Sequence, residues 1–305
     1  MSDDKNYGVQ LRGAMTAMVT PIGDDGGVDW DALERIAEWQ VDSGIHGLVP
    51  CGTTGEGATL SADEQADVIA RVVRVVAGRV PVVAGVGSNS TSRTVDAAKR
   101  AHDVGADALL VVSPYYNKPN RSGMLAHYEA VGRATPLPIV VYNVPGRTGQ
   151  NLGAELILEL AQQPPVAAVK EASADLDQIA TILQGRPTGF SVLSGDDALA
   201  LPTMALGADG IVSVVSNEAP TEMAALISAA ASGDYAGARE LHYRLLPLMR
   251  ANFRESNPVP VKTAMAMLGH CEDHLRPPLG PATEATRAAL RAALDRAGLG
   301  KATSG

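Results

Sequence analysis

A short apolar run followed by an amphipathic stretch, repeated eight times, is the feature that most limits how this chain can fold. The first run is Ala14-Met15-Thr16-Ala17-Met18-Val19, closed by Thr20-Pro21 and a glycine-rich turn over 23–27. Behind it Asp29 predicts a helix cap, with Leu33, Ile36, Ala37 and Val41 at helical spacing. The unit then returns. Gly47-Leu48-Val49-Pro50 precedes a helix over 61–77 opened by Ser61, and Val80-Pro81-Val82-Val83-Ala84 precedes one opened by Thr91. Ala108-Leu109-Leu110-Val111-Val112 precedes 122–134, Ile139-Val140-Val141-Tyr142 precedes 154–163, and Val166-Ala167-Ala168-Val169 precedes 175–184. Phe190-Ser191-Val192-Leu193 and Gly210-Ile211-Val212-Ser213-Val214 complete the series, with helices over 196–206 and 220–231.

Strands that alternate with helices pair in parallel, because each helix carries the chain back to the end it left. Eight such units predict an α/β protein, a closed (β/α)8 TIM barrel. An open doubly wound sheet is the alternative. It carries a glycine-rich nucleotide loop after its first strand, and Gly23-Asp24-Asp25-Gly26-Gly27 lacks the G-x-G-x-x-G spacing. Helices over 234–250, 259–268 and 283–297 follow the eighth unit. The expected division is therefore a catalytic barrel over 12–232 and a C-terminal helical extension over 233–300 packed on it, with residues 1–12 as a loose arm.

Composition narrows the function. A chain of 305 residues that is 46% hydrophobic can bury a sizeable core. A net charge of −9 with no basic run argues against a nucleic-acid partner. The two cysteines, Cys51 and Cys271, make neither a disulfide framework nor a zinc site. His270 and His274 flank Cys271, but Glu272-Asp273 and Pro277-Pro278 read as a loop there, and no metal is expected. The start of the chain is polar, and no apolar run reaches the ~18 residues of a membrane-spanning helix, so no membrane is expected and the expected location is cytoplasmic.

The sixth apolar run ends on Lys170. Lysine is rarely buried without a partner or a task, and the C-terminal strand ends of a barrel open on the mouth where its chemistry sits. One reading is a side chain that snorkels out of the strand end. The other is an amine that forms a Schiff base. At an ordinary pKa of about 10.4, only about one lysine in 2,500 is neutral at pH 7, so the second reading asks for a desolvated pocket. Strand alternation aims the adjacent Glu171 away from the barrel axis.

The other strand ends decide between the two. After the second strand, Cys51-Gly52-Thr53-Thr54-Gly55-Glu56-Gly57 sets two hydroxyls between glycines. Such a turn exposes backbone N–H groups that can hold a carboxylate, or it is an ordinary strand-to-helix loop. After the fourth comes the pair Tyr115-Tyr116. The fifth ends in Tyr142 and leads to Arg147 in a Pro-Gly turn. Tyr142 is expected beside Lys170, since strands five and six are neighbours. Its phenol can exchange protons with an imine, or it is a core tyrosine. Arg147 is a bidentate clamp for a carboxylate, or a surface arginine. The seventh and eighth strands end in Gly195-Asp196-Asp197 and Ser216-Asn217. Together these ends favour lysine-based carbonyl chemistry, in which a 2-oxo acid condenses at Lys170 and a C–C bond is made or broken through the enamine.

At these residues, and over about 12–297, the chain resembles the pyruvate-dependent Schiff-base aldolases and lyases. The 52–56 loop and the Lys170 strand carry the resemblance to the whole family. The runs at 114–117, 142–149, 193–197 and 257–262 carry a closer one. The resemblance implies that Lys170 forms the imine with pyruvate and that Thr54, with the N–H groups of its loop, holds pyruvate's carboxylate. It implies that Tyr142 donates and accepts protons, linked through Thr53 to Tyr116. In the family the second tyrosine comes from a neighbouring subunit, so a homo-oligomer, a dimer of dimers, is expected. Arg147 would orient the carboxylate of the second substrate, aspartate 4-semialdehyde, and Gly195 and Val212 would line the pocket. No cofactor is implied. The product would be 4-hydroxy-tetrahydrodipicolinate, in diaminopimelate and lysine biosynthesis.

A sibling aldolase, acting on N-acetylneuraminate or a 2-keto-3-deoxy-sugar acid, would share Lys170, Tyr142 and the threonine loop. Arg147 and the tyrosine pair separate the two. A barrel kept only for binding would be expected to lose Lys170, Tyr142 or Thr53, and all three are present. There is one departure from the pattern. Members inhibited by lysine carry two histidines and a glutamate where this chain has Ala62, Gln65 and Arg93, while Asn89 and Tyr115 are kept. Weak or absent inhibition by lysine is the expectation.

Overall fold

Residues 8–300 are described by a computed structural model. The expected arm falls outside the described residues as far as residue 7. Beyond that point the chain is not loose, because Leu11 is buried in the barrel interior with Val9 packed beside it.

The eight strands are β1 (Gly13–Ala17), β2 (Gly47–Val49), β3 (Val83–Gly85), β4 (Ala108–Val112), β5 (Ile139–Asn143), β6 (Val166–Glu171), β7 (Ser191–Ser194) and β8 (Gly210–Ser213). They form one parallel sheet in the order β2-β1-β8-β7-β6-β5-β4-β3. A parallel bridge between Leu48 and Val82 joins its two ends and closes the cylinder. The strands alternate, except near the start of β6, where a register irregularity sets Ala167 and Ala168 both inward. Leu110, Val140, Tyr142, Ala168 and Leu193 fill the interior, while Leu109, Val111, Ile139, Val141 and Val169 face the helices.

The helices are α1 (Trp30–Asp42), α2 (Ala62–Val76), α3 (Thr91–Asp103), α4 (Arg121–Ala134), α5 (Pro145–Thr148), α6 (Gly153–Leu160), α7 (Leu176–Gly185), α8 (Ala200–Ala205), α9 (Pro220–Ala231), α10 (Tyr235–Ala251), α11 (Val259–Leu268) and α12 (Glu284–Ala297). Their starts follow the capping residues. Asp29 accepts from the Ala32 N–H at 3.0 Å, and Ser61 and Glu64 form a reciprocal capping box. Each such cap is worth about 1 kcal/mol.

Two expected elements differ. The helix over 196–206 is split into a 3-10 turn (Asp197–Leu199) and α8, because the buried Asp197 carboxylate turns inward to accept the N–H groups of Val214 and Val215. The turn around Arg147 is wound into the one-turn helix α5, which Gly149 ends at a φ of 76°. After α9, which lies against β1, α10 packs on α9 and α12, and α11 packs on α12. Among the described residues no helix is long and apolar enough to cross a membrane.

Candidate active site

The register of β5 and β6 sets Tyr142 directly opposite Lys170. Both sit on inward positions. Lys170 is only 5% exposed, and its Nζ lies 4.3 Å from the centroid of the Tyr142 ring. No carboxylate is within ion-pair distance of Lys170 among the described residues. Glu171 faces outward, as alternation requires. It is buried, and its carboxylate accepts from Asn143 Nδ2 at 3.0 and 3.1 Å, the Ser173 N–H at 2.7 Å and Gln178 Nε2 at 3.2 Å. Its hydrogen-bonding capacity is taken up there and is not directed at the lysine.

Beside the lysine is a cavity of about 140 Å³, lined by Lys170, Tyr142, Thr53, Thr54, Arg147 and Gly195, with Asp196, Val214, Phe253 and Asn257. Gly195 is there because nothing larger fits. A Cβ at this position would meet the Cβ of Ala172 at 2.6 Å and Cε of Lys170 at 3.2 Å. The end of β7 is thus pressed against the stem of the lysine. Val212 belongs to the interior cluster below, and Val214, two residues on, lines the cavity itself.

The threonine loop is held from several sides. Within it the Glu56 N–H donates to the Thr53 carbonyl and the Gly57 N–H to the Gly52 carbonyl, both at 3.1 Å. The Thr20 hydroxyl donates to the Gly55 carbonyl at 2.7 Å. Thr54 is buried and accepts from Asn257 Nδ2 at 2.9 Å. Arg147 Nη2 donates to the Asn257 carbonyl at 3.3 Å. Asn257 therefore touches both residues expected to hold carboxylates, a role the sequence reading did not give it. Its only signal was its place at the head of the 257–262 run. The Cys51 thiol is buried, which pushes it above its ordinary range and makes it a poor nucleophile.

Two residues that follow the strands lie away from the lysine. Tyr116 is 88% exposed, lines neither cavity, and holds a φ of 74°, uncommon for a bulky side chain. Asn217, at the end of the eighth unit, is a structural tie. It donates to the Ala17 carbonyl at 2.8 Å and accepts the Val19 N–H at 3.0 Å. A wider groove of about 770 Å³ adjoins the cavity, with Thr53, Tyr142 and Arg147 on the shared edge and Ala62, Gln65, Arg93 and Tyr115 farther out.

A buried lysine at the C-terminal end of the sixth barrel strand, walled by a phenol and faced by a hydroxyl loop, defines a class: the barrel lyases that work through a lysine Schiff base. Residues 10–297 match the model of the dihydrodipicolinate synthetase family. The chain belongs to that family. It is 49% identical to the 4-hydroxy-tetrahydrodipicolinate synthase of Maridesulfovibrio salexigens over 290 residues, which is 95% of this chain and 99% of the relative. Its fold matches the crystal structure of dihydrodipicolinate synthase from Aquifex aeolicus with a TM-score of 0.93 and 42% identity, over 96% of this chain and 100% of the other. The chloride-inhibited dihydrodipicolinate synthase of Acinetobacter baumannii, solved with pyruvate, matches with a TM-score of 0.93 and 41% identity, over 95% of this chain and 100% of the other.

Proposed function

We propose that this chain condenses pyruvate with aspartate 4-semialdehyde to give 4-hydroxy-tetrahydrodipicolinate, in diaminopimelate and lysine biosynthesis. The observation that carries the reading is the inward Lys170 against Tyr142, in a cavity shared with Arg147 and the threonine loop. Family membership and relatives named for this reaction support it over the sibling aldolases.

The chemistry follows from the residues. Lys170 Nζ attacks C2 of pyruvate, and loss of water gives the imine. Removal of a proton from C3 gives the enamine, whose C3 attacks the aldehyde carbon of the second substrate. The amine of that substrate then displaces Nζ from C2, which closes the ring and frees the lysine. Tyr142 is the proton donor and acceptor, in a relay through Thr53 to Tyr116. Thr54 and the N–H groups of its loop hold pyruvate's carboxylate, and Arg147 orients the carboxylate of the semialdehyde. Gly195 shapes the wall, and Val212 supports it from the interior packing below.

The assembly we propose is a homo-oligomer, a dimer of dimers, in which Tyr116 serves a neighbouring subunit. Its exposure on a backbone in the left-handed region supports this. We assign residues 12–232 to the catalytic barrel and 233–300 to the extension packed on it, and place the enzyme in the cytoplasm.

Intact mass after incubation with pyruvate and borohydride tests the reading. One reduced pyruvyl adduct is expected in the native chain and none in Lys170→Ala, with turnover of the semialdehyde by the native chain alone. An adduct without such turnover would move the assignment to a sibling aldolase.

A further inference from the structure

The loop that carries Thr53 and Thr54 is fastened to the C-terminal extension by a buried ion pair. Glu56 lies two residues after Thr54 and holds a φ of 52°, in the left-handed region that a non-glycine residue keeps only where its surroundings impose it. Its Oε1 accepts from Lys262 Nζ of α11 at 2.6 Å, and its Oε2 accepts from the Arg276 N–H at 3.0 Å. Lys262 Nζ also donates to the His274 carbonyl at 2.5 Å. Neither side chain of the pair is more than 1% exposed. Asn257, ahead of α11, grips Thr54 from the same extension.

A buried ion pair adds little net stability over apolar residues of the same volume. What it supplies is direction, because charged hydrogen bonds from two sides leave the Glu56 carboxylate one place to be, and the backbone that bears it follows.

We propose that Glu56 and Lys262 are a positioning pair through which the C-terminal extension holds the Thr53-Thr54 loop in its substrate-binding form before pyruvate arrives. The proposal rests on the reading that Thr54 holds pyruvate's carboxylate. Neither member of the pair lines the cavity beside Lys170.

The test is the double variant Glu56→Gln/Lys262→Met, which removes both charges and leaves neither partner buried alone. The expected result is a folded protein whose half-saturating pyruvate concentration, read by borohydride trapping at Lys170, rises about tenfold or more, since a misplacement of about 1 Å far from the chemistry can cost about 10²-fold. The pyruvate KM rises more than kcat falls. A folded double variant with native half-saturation overturns the proposal. Thr54→Val separates the two layers. If it too binds pyruvate normally, the carboxylate reading itself has failed. If it alone loses pyruvate, only the positioning role has. Hydrogen exchange on the native protein decides the matter if the double variant does not fold. The amides of 52–57 are expected to exchange slowly without pyruvate, and rapid exchange that slows only when pyruvate is added overturns the proposal.

Discussion

Lys170 Nζ lies 4.3 Å from the centroid of the Tyr142 ring, and the two residues are direct partners across β5 and β6. The distance is a product of strand register. A slip of one residue would turn Lys170 outward among the helices and bring Glu171 into the barrel. The ring forms one wall for the lysine, and its phenol belongs to the same cavity.

Tyr142→Phe keeps that wall and removes the O–H. The borohydride-trapped adduct should still form, more slowly, while kcat falls by about 10²–10⁴ and the melting temperature holds. A kcat within about threefold of the native value would take the phenol out of proton transfer.

Tyr116 should act across a subunit boundary. Tyr116→Phe and Lys170→Ala are each expected to be nearly inactive. Unfolded together and refolded as hybrids, they should regain activity, because the intact Lys170 of one subunit then meets the intact Tyr116 of the other. No gain in hybrids shown by native mass spectrometry to contain both chains would confine Tyr116 to its own subunit.

Free lysine should inhibit weakly or not at all. In the groove beside the cavity, Gln65 commits its Nε2 to the Gly85 carbonyl at 2.8 Å, and Arg93 brings a cation to a site where a lysine ammonium needs an acceptor. More than half of the activity should survive at about a millimolar lysine, a concentration that corresponds to a binding free energy near −4 kcal/mol. Half-inhibition below that would refute the expectation.

His127 should make stability depend on pH. Burial pushes its imidazole down from about 6.5 to about 4. Its Nδ1 lies 3.0 Å from the Thr91 hydroxyl, and its Nε2 has no hydrogen-bond partner among the described residues. The folded value is below the unfolded one, so its contribution is full above about pH 6.5 and is lost as the pH falls through about 4. A difference of this size is of the order of 3 kcal/mol. Urea unfolding of His127→Gln between pH 7 and pH 4 should show a shallower loss of stability than the native chain. Parallel slopes would remove the histidine from the account.

The barrel was legible because its signals are local. Apolar runs, helical spacing and caps such as Asp29 and Ser61 report on a few neighbouring residues, and eight repeats leave few ways to pair the strands. The opposite facing of Lys170 and Glu171 was legible for the same reason, but which of the two points inward was not, because an irregularity near the start of β6 sets Ala167 and Ala168 both inward and resets the alternation that begins at Val166. The winding of α5 around Arg147 was not, because four residues carry too little periodicity to separate a turn from a helix.

Residues in the chain's own order thus specified the strands, their helices and, outside the irregularity in β6, the alternate facing of neighbouring side chains, since period-two and period-3.6 patterns are written in neighbours. Which buried polar group meets which was decided only when the cylinder closed. Asn257 reaches Thr54 across 203 positions, and Lys262 reaches Glu56 across 206. No pattern of neighbours encodes such pairs. They arise because a polar group carried into the interior must find its partner among whatever the packed extension brings beside it.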